Sequence, residues 1–235
     1  MMKYLLFRLY GPMSSWGDIA VGEIRPSFTH PSKSAILGLV AAALGIKRNE
    51  EEKHRSLAKA LGFAVLVESA GFPLFDYHTA QVPSGKENYR TRRQELWGDR
   101  SDLNTILSTR DYRVDGLYTT ILWVKKHCEF DLDRITVKLR QPDFILYLGR
   151  KSCPVALPLE AQTVDAESLV DAVGKVRFLD MVPLGFKHSG HRNLYWDDDG
   201  TAGIEQHNIF ERRDFPLSRG RWQFDTRKER HAAST

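Results

Sequence analysis

The first 46 residues constrain the fold more than any other part of the chain, because they set a strand, a turn and a buried helix in succession. Tyr4 to Leu9 is a short apolar run that Gly11-Pro12 ends. Ile36 to Leu44 carries its large apolar residues at helical spacing, which predicts a helix with one face packed inward. Pro31 suits the first helical position and Gly45 suits a left-handed cap, so both ends of this helix are marked.

The start of this helix has the composition of an anion site. Thr29 and Ser32 can accept hydrogen bonds from free amides, and Lys33 and Ser34 fall in the first turn. A helix N-terminus carries a partial positive charge and unpaired N–H groups, so this turn could hold a phosphate. However, most capped helices bind nothing, and the segment lacks the GxxxxGK[ST] loop of nucleotide-binding proteins. Both alternatives stay open on these residues alone.

Bulk composition narrows the class of protein. The 235 residues are 42% hydrophobic and 27% charged, which suffices for one large domain or two small ones. The chain shows neither a long apolar run nor a secretion leader, so we expect a cytoplasmic protein without a membrane span. Cys128 and Cys153 lack the spacing of a disulfide framework or a zinc site. Because the net charge is only +4 at a pI of 9.0, any polyanion site must come from local clusters.

Two units of strand, helix and strand are predicted within residues 1–150. The first unit continues with a polar helix over Glu51 to Leu61 and a strand over Phe63 to Glu68. The second contains a strand over Leu117 to Val124 and a helix over Asp131 to Leu139. We therefore expect an α+β fold with a ferredoxin-like (RRM-type) domain over residues 1–150. In that fold two helices cover one face of an antiparallel sheet, and the other face is free for ligand.

The rest of the chain predicts shorter extended pieces. They are expected over residues 72–77, 144–148, 155–161, 177–181, 207–210 and 222–224. We expect residues 151–235 to form a small β-rich C-terminal part. Its last residues, from about Lys228 to Thr235, are predicted to be a frayed tail.

An excursion from His78 to Asp115 mixes basic and aromatic residues. Its basic residues are Lys86, Arg90, Arg92, Arg93, Arg100, Arg110 and Arg113, and its large rings are Tyr89, Trp97 and Tyr112. Arginine neutralises phosphate and rings stack on unpaired bases, so this pattern favours single-stranded RNA or DNA over duplex. Acidic residues dilute the charge, and a solvated loop explains it about as well. Its length favours function, because loops beyond about 15 residues are usually functional or disordered.

Two further basic groups are weaker signals. Arg150-Lys151 sits on a glycine turn, where backbone amides could approach a phosphate or where a strand simply ends. Around Trp222 stand four arginines that acidic neighbours offset, so they could equally form surface ion pairs of little energetic value. These four are Arg212, Arg213, Arg219 and Arg221.

Catalytic motifs are sparse. His188 and His191 lack a nearby third ligand and no HExxH is present, so we expect no metal and no cofactor. No GxSxG supports a serine hydrolase. The best catalytic interpretation is metal-free RNA cleavage by general acid and base, with Lys126-His127 or with His78 beside Tyr77. A lone histidine is more often structural.

Four segments of the chain resemble one family. They are GPMSSWGD, RPSFTHPSKSAILGLVAAALGI, DYHT and YLGRKSCP, which occur in this order within the first 155 residues. Together they resemble the CasD family of the RAMP superfamily, whose members hold the 5′ handle of the guide RNA (crRNA) in type I-E CRISPR Cascade complexes. The C-terminal third resembles the family mainly in its length and in its scattered arginines and aromatic residues.

The resemblance implies a fold, a site and a set of partners. The excursion, at about residues 78–115, would be a thumb hairpin inserted in the ferredoxin-like domain, and the first turn and helix would form a palm that grips the handle. The partners implied are the crRNA 5′ handle, the backbone and large subunits of a hetero-oligomeric Cascade and, through that complex, target DNA. The RNA-binding residues implied are Trp16, Arg25, Lys33, Ser34, Tyr89, Arg90, Arg92, Arg93, Trp97, Arg100, Arg110, Arg113, Arg150 and Lys151. No catalytic residue is implied.

Two other functions are weighed against this one. Type I-C relatives cut the guide precursor with a tyrosine, a lysine and a histidine, and Lys126-His127 superficially resembles that trio, so a metal-independent endoribonuclease is the enzyme alternative. The third class is a free RNA-binding regulator that acts outside any complex. Against it stand the many apolar residues of the excursion, which favour a covering partner. These are Leu96, Trp97, Leu103, Ile106 and Leu107.

Overall fold

The computed structural model describes residues 1–84, 89–97, 103–125, 131–179 and 192–234. Its strands are β1 (Met2–Ser14), β2 (Ile24–Arg25), β3 (Leu61–Ser69), β4 (Phe72–Pro83), β5 (Leu103–Val124), β6 (Gln162–Ala166), β7 (Arg192–Asp197), β8 (Asn208–Ser218) and β9 (Gln223–Ser234). Its helices are α1 (Lys33–Ala43), α2 (Glu51–Ala60), α3 (Arg92–Trp97), α4 (Leu132–Arg140) and α5 (Leu169–Lys175). Among these helices none has the length and apolar character that a membrane span requires.

One mixed α/β architecture follows, dominated by an antiparallel sheet. The described strands form a nine-stranded sheet in the order β6-β1-β5-β3-β7-β9-β8, with β2 and β4 both paired to β5. Strand β5 is long enough to serve two neighbours in turn, since its first half pairs with β4 and its second half with β1 and β3. The strands after residue 150 add to both sides of this sheet, β6 beside β1 and β7 beside β3.

Helix α1 forms as its sequence predicts, with one shift at its start. Ser32 is the N-cap and its hydroxyl accepts from the Ala35 amide, so the helix begins at Lys33 and Pro31 lies outside it. Gly45 follows the helix with φ +73°, the left-handed conformation that glycine adopts without a Cβ penalty. The predicted apolar face, which includes Ile36 and Val40, is buried in the core.

Both faces of the sheet are covered. Alternate residues of β1, including Leu5 and Phe7, pack against α1, α2 and α4 in one apolar cluster. Tyr4 and Leu6 point the other way, into a second cluster that includes Leu169 of α5. The expectation that one face is free for ligand is therefore wrong over this end of the sheet, because α5, which the sequence did not predict, packs there.

Four other predictions need correction. Residues 144–148 and 155–161 form no strand, and a single bridge joins Tyr147 to Pro154, consistent with the missing N–H donors of the prolines in this segment. No strand occupies the described residues 177–179. The tail is not frayed up to Ser234, because β9 pairs with both β7 and β8 and buries Glu229 and Ala232.

Candidate nucleic-acid interface

The structure brings two of the distant sequence segments together at the end of β1. The Ser15 amide donates to the carbonyl of Leu148 at 3.0 Å, which docks the turn at Gly149 on the start of the loop after β1. Gly149 has φ +86°, and a Cβ there would lie only 1.7 Å from the carbonyl oxygen of Ser15. Only glycine fits this close approach, so the glycine turn has a structural reason.

Four basic residues meet beside this turn, and we call them the palm surface: Arg25, Arg110, Arg150 and Lys151. Arg25 and Arg110 are opposite each other in the β2–β5 register. The Nη2 of Arg150 donates to the carbonyl of Arg25 at 3.3 Å, and its guanidinium lies 5.0 Å from the ring centroid of Tyr112. Its Nη1 is buried without a hydrogen-bond partner among the described residues. A buried donor of this kind is costly unless a ligand or water supplies an acceptor.

Trp16 is a core residue, not an exposed contact. Its side chain is 2% exposed and meets Tyr118 edge to face, with ring centroids 5.3 Å apart. The family resemblance implied that Trp16 contacts RNA, and the burial of its ring contradicts an exposed contact. The indole instead anchors the loop after β1 on the sheet, and it forms part of the wall of the open cleft described below.

Lys33 also belongs to the interior. It is 2% exposed and its Nζ lies 2.5 Å from Oδ2 of Asp197. Its backbone amide donates to Oδ2 of Asp214 at 2.7 Å. Of the two alternatives for the start of α1, the anion site is thus filled by a carboxylate of the chain itself, and the side chain of Lys33 is not available to a phosphate. Ser34 is partly exposed, and its hydroxyl lies 3.1 Å from that of Ser32.

A buried network of charges surrounds Lys33 and joins α1 to the C-terminal strands. Arg227 contacts Asp197, Asp214 and Glu229 at 3.1, 2.6 and 2.5 Å. Burial opposes ionisation of Glu229, but the hydrogen bond with His30 and the charge of Arg212 hold its pKa well below its usual range. For His30 burial is the largest effect, and it lowers the pKa below the ordinary value.

The arm formed by β4, α3 and the start of β5 carries the thumb residues of the sequence prediction. Arg93 lies 4.7 Å from the ring centroid of Trp97, which is 75% exposed. Arg92 pairs with Glu95 at 2.7 Å and also donates to the carbonyl of Gln81. Tyr89 and Arg90 are exposed near the start of α3, whereas the predicted Arg100 and Lys86 lie outside the described residues.

Arg113 and Tyr112 have structural roles at the base of this arm. The Nε and Nη2 of Arg113 donate to the carbonyls of Ala70 and Gly71 at 2.9 and 2.8 Å, so these donors are used within the chain. Tyr112 is buried beneath Arg150 and offers no free ring for stacking. Periodicity cannot separate such residues from binding residues, because their partners belong to another strand.

An open cleft of about 620 Å³ lies on the α1 side of the palm surface. Its walls come from the loop after β1, from α1, from residues 145–149 and from the turn between β8 and β9. Arg219 and Trp222 of that turn line it. The sequence singled out this arginine group around Trp222, but nothing in the sequence could bring it to α1.

Only some of the catalytic candidates lie within the described residues. His78 is partly exposed, with its Nδ1 4.0 Å from Oδ2 of Asp76. Lys126-His127, His188 and His191 lie outside the described residues. Within the described ranges, no group of three or more histidine, cysteine or acidic side chains is arranged to hold a metal ion.

Comparison with known proteins assigns the chain to a family. The family model described as CRISPR-associated protein (Cas_Cas5) matches residues 4–230. The CRISPR system Cascade subunit CasD of Escherichia coli (strain K12) is 30% identical over 236 residues, which cover 97% of this chain and 95% of that protein. A solved structure described as a CRISPR RNA-guided surveillance complex shares 22% identity at a TM-score of 0.67, over 98% of this chain and 90% of that one. A second, described as a Cas protein, shares 24% identity at a TM-score of 0.60 and covers 98% and 94%. The chain therefore belongs to the Cas_Cas5 family of CRISPR-associated proteins.

Proposed function

We propose that this protein is a non-catalytic, RNA-binding subunit of a CRISPR Cascade surveillance complex, which caps the 5′ handle of crRNA and helps assemble the complex for antiviral DNA targeting. The observation that carries the proposal is the 30% identity to a Cascade subunit over 97% of the chain. Sequence specificity for DNA would then lie in base pairing by the guide, while this subunit holds the end of the guide.

The order of elements supports the ferredoxin-like domain with a thumb. Apart from β2 and the arm, the elements follow one another as strand, helix, strand, strand, helix and strand. These are β1, the pair of helices α1 and α2, β3, the second half of β5, α4 and β6. The arm of β4 and the first half of β5 extends from between β3 and the second half of β5, where an inserted thumb hairpin would lie. With β6 as its fourth strand, the proposed RNA-binding domain would run past residue 150 to Ala166, and the later strands would add to its sheet.

The palm surface is the proposed handle contact. It brings four positive charges, those of Arg25, Arg110, Arg150 and Lys151, to one glycine turn. Nη1 of Arg150 is a buried donor without an acceptor among the described residues. Phosphate oxygens are suited to this role, because guanidinium groups bind them through charge-assisted hydrogen bonds. Thumb residues Tyr89, Arg90, Arg93 and Trp97 would add contacts farther along the RNA.

Exposed rings on the arm support the proposal of protein partners. Phe72, Phe75 and Tyr77 of β4 are each about two-thirds exposed. Large exposed apolar groups on one strand mark a protein interface more often than a solvated edge. The backbone and large subunits of Cascade are the proposed partners, and target DNA would be reached through them.

A direct binding experiment tests the proposal. Full-length protein is titrated with fluorescent single-stranded RNA that carries the repeat-derived 5′ end, and with a scrambled RNA of the same length. We expect tighter binding of the repeat-derived RNA, with log affinity falling against log salt by about 0.7 for each neutralised phosphate. Replacing the four palm residues by glutamine should reduce that slope by about 3. Equal affinity for both RNAs, or an unchanged slope, would contradict the proposal.

Absence of catalysis is part of the proposal and has its own test. Incubation of the wild type and of His127→Ala with precursor RNA should leave the RNA intact in both reactions. If the wild type cuts within the repeat, and the variant binds but does not cut, the endoribonuclease alternative replaces this proposal.

A further inference from the structure

We propose that the cleft between α1 and the β8–β9 turn binds one unpaired nucleotide of the guide RNA, with its phosphate on Arg219 and its base against Trp222. This inference rests on the proposed function, because it assumes an RNA strand on the neighbouring palm surface. It assigns a binding role to a turn near the end of the chain, for which the sequence left surface ion pairs as an equal alternative.

The position of Arg219 is built by two helices. Glu51 at the start of α2 accepts hydrogen bonds from the Ser218 hydroxyl and the Arg219 amide at 3.1 and 3.2 Å, and so holds the turn. The guanidinium lies flat on Gly38 of α1, where a Cβ would come within 3.2 Å of Nη2. Its Nη2 also donates to the carbonyl of Ser34. The turn is therefore fixed, and the side chain has a prepared seat on the helix.

The Glu51 carboxylate that holds the turn favours the charged form of Arg219, but the guanidinium forms no direct ion pair among the described residues. Its buried Nε also has no hydrogen-bond partner in the described ranges. The buried Arg212 and Arg227, by contrast, both pair with carboxylates. Burying a cation without a counter-ion is unfavourable, so an anionic ligand would stabilise this site. Asp18 also lines the cleft, but its carboxylate accepts from the Ile19 amide at 2.7 Å.

Trp222 supplies a ring at the same opening. Its side chain is 61% exposed, and Arg48 lies 4.5 Å from the ring centroid, which supports the indole from one side. Its backbone has φ +53°, a conformation that disfavours any residue with a Cβ. An exposed tryptophan in a strained position suits a stacking role better than a structural one.

The size and position of the cleft suit one nucleotide. Its 620 Å³ falls within the range of about 300 to 1,000 Å³ that is typical of small-ligand sites. Gly149 lines the cleft, and the next residue in the chain is Arg150 of the palm surface. An RNA strand that crosses the palm surface can therefore place one residue in the cleft without a break in its backbone.

The experiment is an abasic scan of the repeat-derived RNA against full-length protein variants. In the wild type, removal of one particular base should weaken binding by about 5- to 150-fold, the effect of losing one base stack. Trp222→Gly should abolish that position-specific effect while the urea midpoint stays equal or rises, because glycine relieves the left-handed backbone. Arg219→Gln should lower the salt slope by about 0.7. The matched control is Arg221→Gln on the same turn, whose side chain is exposed and does not line the cleft.

Outcomes separate this inference from the proposed function. If the wild type prefers the repeat-derived RNA but Trp222→Gly and Arg219→Gln bind it as the wild type does, the cleft is not a nucleotide site and the palm proposal stands. If the wild type shows no preference, the proposed function itself fails. Gly38→Ala guards against unfolding of the arginine variant, since alanine favours the helix but shifts the guanidinium by a few tenths of an ångström. It should bind RNA more weakly than the wild type.

Discussion

At the level of single residues, we expect Lys33 to contribute to stability and Lys151 to contribute to RNA binding. Lys33 is buried against Asp197, whereas Lys151 is exposed on the palm surface. Lys33→Met should lower the free energy of unfolding by about 1.5 to 3 kcal/mol, because Asp197 loses a close buried partner but keeps Lys125 and Arg227. RNA affinity per folded molecule should not change. Lys151→Met should leave the free energy of unfolding unchanged and weaken RNA binding. Urea unfolding measures the first quantity and fluorescence anisotropy the second. Equal stability of the two variants would contradict the buried pairing.

Acid should weaken the charge network in two steps. The pKa of His30 is lowered from its ordinary 6.5, so the unfolded chain binds that proton more readily and stability falls as pH drops below about 6.5. The pKa of Glu229 is lowered from 4.5, so stability falls further as pH drops below about 4.5. Urea midpoints across this range should show His30→Asn reducing the upper step, to which His54 and His231 also contribute because burial lowers their pKa as well. His207→Asn, a change at an exposed histidine, should leave the step in place; a step that His30→Asn does not reduce would belong to other groups.

At the level of elements, the last strand tests a correction to the sequence-based prediction. Strand β9 pairs with β7 and β8 and buries Glu229 and Ala232, so it holds the C-terminal strands to the sheet. Ending the chain after Lys228 should abolish soluble expression or lower the melting temperature by well over about 5 °C. Removal of Thr235 alone should have no effect. A truncated protein as stable as the wild type would restore the frayed-tail prediction.

Local sequence signals predicted the elements that depend on them. Helical spacing identified α1 and its Gly45 cap, and apolar runs identified β1, β3 and the second half of β5. Strand β7 and helix α5 were missed, because they are short and their apolar residues complete a cluster formed with distant strands. Lys33 was misassigned for a similar reason. Its partners Asp197 and Asp214 lie far along the chain, and periodicity carries no information about such pairs.

At the scale of the whole molecule, charge is segregated by burial. The acidic partners of the interior neutralise Lys33, Arg212 and Arg227, while Arg25 and Lys151 of the palm surface are exposed. A chain of net charge only +4 can therefore still hold a local group of basic residues, as the sequence analysis expects of any polyanion site.

The central claim is that this subunit holds the 5′ handle of crRNA within a Cascade complex. The most direct measurement co-expresses a tagged copy with the other Cascade subunits and a repeat-spacer transcript, isolates it, and sequences the ends of the RNA that it retains. We predict a multi-subunit particle whose RNA has uniform, repeat-derived 5′ ends. Mixed cellular RNA on a lone chain would contradict the claim and favour a free RNA-binding protein.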